Sequence, residues 1–216
     1  MNLVDPTGKE IVVHVSVNNN DTVFKWTEVD GMWGFYTDVN NIKELYSGSD
    51  DYVKALTNAL STLMEGKMGS AMIKEIVKSP QQILVNENGS NSYDPSKKQV
   101  EWSSTKSLIG ATFLSLGHEL AHALDDIRET MNNSTWIPSS SVLSHDIPFS
   151  EVFAMHIENQ IRKEHKTSLR DSYITTDNKY YLMISKVINA SGQSLYYDHN
   201  GETTYNYVLP SQRFKY

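Results

Sequence analysis

Apolar positions along the chain change period several times, and each change marks an element. The β-branched run Glu10 to Val17 predicts a strand, and Phe24 to Glu28 and Trp33 to Thr37 flank Asp30-Gly31, a pair that favours tight hairpin turns. Asn18 to Asn20 reads as a turn between them. From Asp50 the period lengthens: Val53, Leu56, Leu60, Leu63 and Met64 recur at steps of three and four behind Ser49, the expected N-cap, and Gly66 closes the helix. A second short helix is expected over residues 70–78, ending before Pro80. Ile83 to Val85 and Gln99 to Ser103 read as strands around the polar loop 86–98, and a hairpin between them is the expected pairing.

The strongest pattern comes next. Ile109, Phe113, Leu116, Leu120, Ala123, Leu124 and Ile127 form an apolar stripe that predicts a buried helix. A loop from Met131 to Pro148 follows, long enough to suggest function as a lid or a plain surface excursion, and a helix from about Glu151 to Glu164 opens behind Ser150. In the Tyr-rich tail, residues 179–188 fit strand or helix, and Asn200-Gly201 between Leu195 to Asp198 and Thr203 to Val208 predicts a terminal hairpin. The sum is an α+β fold with a small, mostly antiparallel sheet beside the buried helix. With no repeat and no composition break, residues 10–216 are expected to form one domain.

Composition narrows the chemistry. Of 216 residues, 39% are hydrophobic and 21% charged, which suits a packed globule, and the formal net charge of −7 disfavours nucleic acid and anionic membrane as partners. No stretch reaches the roughly 18 apolar residues of a membrane span, and the first residues lack the pattern of a signal peptide. The chain has no cysteine, so a metal would be held by His, Asp or Glu.

His118-Glu119-Leu120-Ala121-His122 has the H-E-x-x-H spacing. On a helix it puts two imidazoles on one face, a turn apart, where both reach one tetrahedral Zn²⁺, one ion per chain. Glu119, between them, is the expected general base for a water activated by the ion. Ser115, His118, His122 and Asp125 form a polar stripe on an otherwise apolar helix, and a buried polar stripe needs partners.

A catalytic zinc site takes a third protein ligand. The long metzincin pattern fails, because Asp125 stands at its Gly position and Arg128 at its third-ligand position. The candidates are His145, Asp146, Glu151, His156 and Glu158. Glu151 and Glu158 share a helix face but stand about 10 Å apart by helical rise, so one ion does not take both. Glu151, in the first turn beside the loop, is favoured; Glu158 has Arg162 four residues on for an ion pair, or orients a ligand from behind. His145 and His156 read as surface or packed histidines.

These residues carry a resemblance. His118-Glu-Leu-Ala-His122-Ala123, then Glu151-Val-Phe-Ala154, Glu158-Asn-Gln-Ile-Arg162-Lys-Glu164 and Leu169-Arg170 resemble the NleD-like effector metallopeptidases, the M91 peptidases, from about Asp50 to Tyr173. The resemblance implies a zincin fold, zinc endopeptidase activity toward proteins of a target cell, and Glu151 as third ligand. Arg170-Asp-Ser-Tyr173 is similar to the R-x-x-Y element of clostridial neurotoxin proteases, which implies oxyanion donors at Arg170 and Tyr173. Asn2-Leu-Val-Asp5-Pro6-Thr-Gly8-Lys9 is similar to the last motif of RHS/YD-repeat proteins, after which toxin domains begin. Residues 1–9 are then the end of that linker, the chain is delivered as part of a longer exported protein, and an immunity protein is an expected partner.

The expected substrate is a protein, with an edge strand, Gln99 to Ser103, pairing with its extended backbone. Two rivals remain: a catalytically silent module whose zinc serves structure, with a fourth ligand such as His145 or Asp146, and a zinc hydrolase acting on esters or small amides.

Overall fold

The computed structural model describes residues 10–17, 20–39, 42–107, 111–140, 143–174, 178–203 and 205–216. The RHS-like stretch, Ile109, Ser141 and most of the Asn18 to Asn20 turn lie outside them. Among the described residues the fold is mixed α+β, with five α-helices and a mostly antiparallel main sheet.

The sheet begins with β1 (Glu10–Val17), β2 (Asn20–Val29), β3 (Met32–Val39) and β4 (Ile42–Leu45), an antiparallel meander. Its second turn is the expected one: Asp30 and Gly31 have φ of 51° and 81°, the left-handed pair that matches strand twist in a two-residue hairpin. Ile11, Val13 and Val15 alternate onto one face of β1, where they join Phe24, Trp26 and Phe35 in the core.

Two helices follow, α1 (Asp51–Glu65) and α2 (Lys67–Lys78). The N-cap of α1 is Asp50 rather than Ser49: its carboxylate accepts from the Val53 N–H at 3.0 Å, satisfying a free donor of the first turn. Gly66 ends α1 as expected, and α2 opens three residues earlier than its apolar pattern suggests.

The next strands correct the expected pairing. β5 (Gln82–Glu87) and β7 (Gln99–Trp102) run parallel, and the hairpin partner of β7 is β6 (Ser92–Asp94), which lies inside the supposed polar loop. Asp94 caps the β6–β7 turn by accepting from the Ser96 and Lys97 N–H groups. The sheet order is β4-β3-β2-β1-β5-β7-β6, so residues 99–102 are an interior strand and the edge on that side belongs to β6.

Helix α3 (Thr112–Ile127) is buried on nearly all sides, with every residue from Leu114 to Asp125 shielded. Gly117 is where it passes closest to its neighbours: a Cβ there would lie 3.0 Å from Leu63 of α1 and 3.2 Å from an Ile161 methyl. After a segment holding the short pair β8 (Thr135–Ile137) and β9 (Ile147–Pro148), α4 (Ser150–Glu164) packs antiparallel to α3, and Glu164 accepts from the Met68 N–H at the start of α2.

Helix α4 is a shared wall. Ala154, Ile157 and Ile161 face the main core, whereas Val152 and Met155 join Val187, Ile188, Tyr196 and Tyr197 in a second apolar cluster built by the tail. There residues 179–184 form a short helix, α5 (Lys179–Ile184), capped by Asn178. The Asn200-Gly201 turn forms, with Gly201 at φ 80°, but Thr203 makes only one bridge, to Tyr197. The partner of β10 (Gln193–Asp198) is β11 (Arg213–Lys215), at the chain's end. Among the described residues no helix is long and apolar enough to cross a membrane.

Candidate metal centre

One helical turn separates His118 from His122 on α3, and their rings lie 5.0 Å apart between centroids. The first turn of α4 brings Glu151 against both: its Oε2 is 3.0 Å from His118 Nε2 and 3.3 Å from His122 Nε2. Ligand atoms of these three residues lie within 4.8 Å of one another, close enough to hold one metal ion. Two imidazole nitrogens and a carboxylate oxygen converging from two helices suit Zn²⁺.

The opposite nitrogen of His118, Nδ1, lies 3.0 Å from Glu158 Oε2. Glu158 is wholly buried, and its other oxygen accepts from Arg162 Nε at 2.6 Å. The separation that prevents Glu151 and Glu158 from sharing one ion is thus what admits a single imidazole between them. The ion pair with Arg162 and the hydrogen bond to His118 are both present on the same carboxylate.

These contacts set the electrostatics. Burial favours the neutral His118 ring, but the Glu151 and Glu158 carboxylates outweigh it and raise its pKa to about 10. Burial also opposes the charge on Glu151, and the two histidines reverse that, holding its carboxyl well below the usual range. Glu119 is buried beside both rings, and its pKa is raised chiefly by desolvation, the condition of a carboxylate suited to accepting a proton. Asp125, on the same stripe, accepts from Thr130 Oγ1 at 2.6 Å, and burial raises its pKa.

Tyr173 presents its phenol to Glu151; burial, then the charge of that carboxylate, push the phenol pKa up. Its backbone N–H donates to Ser185, and its ring packs edge-on to Trp136 of β8 at 6.3 Å. Arg170 stands one step back: its Nη1 donates to Glu158 at 3.2 Å, and its Nε and Nη2 donate to the carbonyls of Ser172 and Tyr173. The remaining candidates sit elsewhere. His145 is exposed and paired with Ser144, Asp146 accepts from Thr135 and Ser139, and His156 is buried against Tyr197 on the other side of α4.

Trp136 escapes the sequence reading, and Asn159 enters it only as part of the stretch that carries the resemblance, with no role attached. Trp136 lies in the segment flagged only for its length, and Asn159 holds the peptide of Arg170 at both ends, accepting its N–H at 2.8 Å and donating to its carbonyl at 2.9 Å. Asn159 belongs to the Glu158-Asn-Gln-Ile-Arg162 stretch of the resemblance, but its spacing alone gives it no role.

The class defined by these features is a mixed α+β protein with a buried His/His/Glu cluster suited to a metal ion. Residues 40–141, under half of the chain, match the family model of the Peptidase M91 effector proteins. The matched stretch contains the His118 to His122 motif and ends before Glu151. No curated protein and no solved structure matches the chain.

Proposed function

We propose that the chain is a zinc-dependent endopeptidase with a zincin-like fold, residues 10–216 acting as one unit, and that it serves as an effector acting on a protein of a target cell. The observation that carries this reading is the convergence of His118 Nε2, His122 Nε2 and Glu151 Oε2 on one point, with Glu119 buried beside them. The match of residues 40–141 to effector peptidases supports the reaction class and delivery into another cell.

His118, His122 and Glu151 would hold one zinc ion, which supplies Lewis-acid polarisation of a carbonyl and acidification of a water. Glu119 accepts the proton of the attacking water and returns it to the leaving amine. Tyr173, through its phenol, donates to the developing oxyanion, a role for which it must leave Glu151. Glu158 fixes the ring of His118 from behind, selecting the tautomer that presents Nε2. Asp146 spends both carboxylate oxygens on Thr135 and Ser139, and exposed His145 pairs through Nδ1 with Ser144, which supports a catalytic site over a closed structural one. The RHS-like start supports export as the tip of a longer protein, with an immunity protein as natural partner.

Elemental analysis of bound metal, run beside cleavage of labelled protein mixtures, tests the reading. About one zinc per chain in the native protein and in Glu119→Gln, with loss in His122→Ala and Glu151→Ala, is the expected result. A chain that takes no zinc after reloading sinks it, and a zinc-loaded chain that cleaves only small esters or amides refutes the endopeptidase assignment.

A further inference from the structure

The zinc site proposed above has a lever behind it. We propose that Arg170 is a positioning residue that acts through Glu158 on His118, while the same guanidinium shapes the turn that delivers Tyr173; it is not a donor to the oxyanion.

Each guanidinium nitrogen of Arg170 already has an acceptor. Nη1 reaches Glu158 Oε2 at 3.2 Å, Nε reaches the Ser172 carbonyl at 3.2 Å, and Nη2 reaches the Tyr173 carbonyl. The two carbonyl contacts lie within the residue's own turn, so they curl residues 170–173 around the side chain. The guanidinium carbon also sits 5.4 Å from the centroid of the Tyr173 ring. Asn159 of α4 grips the Arg170 peptide from both sides, which fixes where the side chain starts. A planar fork engaged at all three nitrogens has its plane and direction fixed by the protein.

The oxygen Arg170 touches is the one that touches His118. Glu158 Oε2 lies 3.0 Å from His118 Nδ1 and 3.2 Å from Arg170 Nη1, while Oε1 takes Arg162. With no solvent on Glu158, its orientation is set by these three groups. Removal of Arg170 leaves the carboxylate free to turn toward Arg162, and His118 loses the contact that aims its Nε2. The turn bearing Tyr173 loosens at the same time.

The test uses the purified full chain, with zinc affinity measured by chelator competition and site geometry by the visible absorption of the cobalt-loaded form. Arg170→Gln is expected to weaken zinc about tenfold and to shift the cobalt bands. Arg170→Lys, which keeps a cationic donor for Glu158, recovers most of that loss. Because Arg170 acts through Glu158, the double variant Arg170→Gln with Glu158→Gln binds zinc no more weakly than Glu158→Gln alone.

Native zinc affinity and native cobalt bands in Arg170→Gln would overturn the inference, leaving the zinc site itself intact. So would equal losses in the Lys and Gln variants, or additive losses in the double variant, which indicate a merely structural role. A native chain that takes neither zinc nor cobalt fails earlier, at the peptidase reading, and removes this inference with it.

Discussion

Glu158 and His118 meet 3.0 Å apart, carboxylate to Nδ1, across 40 residues of chain. The contact ties the third turn of α4 to the middle of α3 and leaves the other ring nitrogen facing Glu151. Substitution Glu158→Gln should therefore weaken zinc binding by about 10- to 100-fold without touching a ligand. It also strands Arg162 and Arg170 beside a neutral amide, at a cost of about 3 kcal/mol. Chelator competition and thermal melts check the two effects; native zinc affinity in this variant would show that His118 is aimed by something else.

Glu119 separates metal binding from chemistry. It is 8% exposed, and burial raises its pKa, so the ionised form weighs against the fold at neutral pH. Glu119→Gln should keep its zinc, lose about 10²- to 10⁴-fold in cleavage rate, and melt at an equal or higher temperature. Cleavage close to native would exclude Glu119 as the base.

How much of this was legible follows from range. The hairpin at Asp30-Gly31, the helix stripe through Leu116, Leu120 and Leu124 and the His118 to His122 spacing are local patterns, and local patterns survive in a single sequence. Glu151 was reached by its place in the first turn of a helix and by resemblance, and the structure brings it to both histidines. The parallel pairing of β5 with β7 was not legible, because a polar run rich in Asn and Ser conceals β6, whose three residues are too few to show a period. The partner of Leu195 to Asp198 was missed for a similar reason: the Asn200-Gly201 turn is real, yet the returning strand waits until Arg213. The R-x-x-Y resemblance implies an oxyanion role for Arg170, whereas its nitrogens face Glu158 and two carbonyls, contacts that depend on how α4 meets the turn behind it.

Protons compete with metal at this site. Burial works against a charged His118, but the two glutamates prevail and carry its pKa to about 10, so the metal-free ring is protonated at neutral pH. Zinc must displace that proton, so apparent affinity should rise up to about tenfold per pH unit between pH 6 and 8. The sign for the metal-free chain is opposite. A raised histidine pKa stabilises the fold fully below about 6.5, and that stability is lost as pH rises toward 10. Zinc titrations at three pH values, corrected for the chelator's own protonation, check the first point; a flat profile refutes it. In Glu158→Gln the slope should be shallower.

His156 carries the reverse dependence and lies away from the metal. Its ring stacks on Tyr197 at 3.7 Å, touches Phe214 edge-on at 4.9 Å, and shares Nδ1 with the Tyr216 hydroxyl at 2.8 Å. Burial alone drives its pKa down to about 3. Unfolding exposes a ring that titrates near 6.5, so the unfolded chain binds the extra proton, and stability falls as pH drops from about 6.5 toward 3 by at most about 1.4 kcal/mol per unit. Glu151 contributes acid sensitivity only below its ordinary carboxylate range, and the His118 contribution is complete below about 6.5. Glu119 and Asp125, whose pKa values burial raises, act in the opposite sense, so His156 is isolated by the difference between native and His156→Phe melts of the metal-free chain from pH 6.5 to 5. The native chain should lose melting temperature across that window, and His156→Phe, which keeps the stacking on Tyr197 and removes the titration, should lose much less. Parallel profiles for the two would mean that the tail releases His156 to solvent well before the protein unfolds.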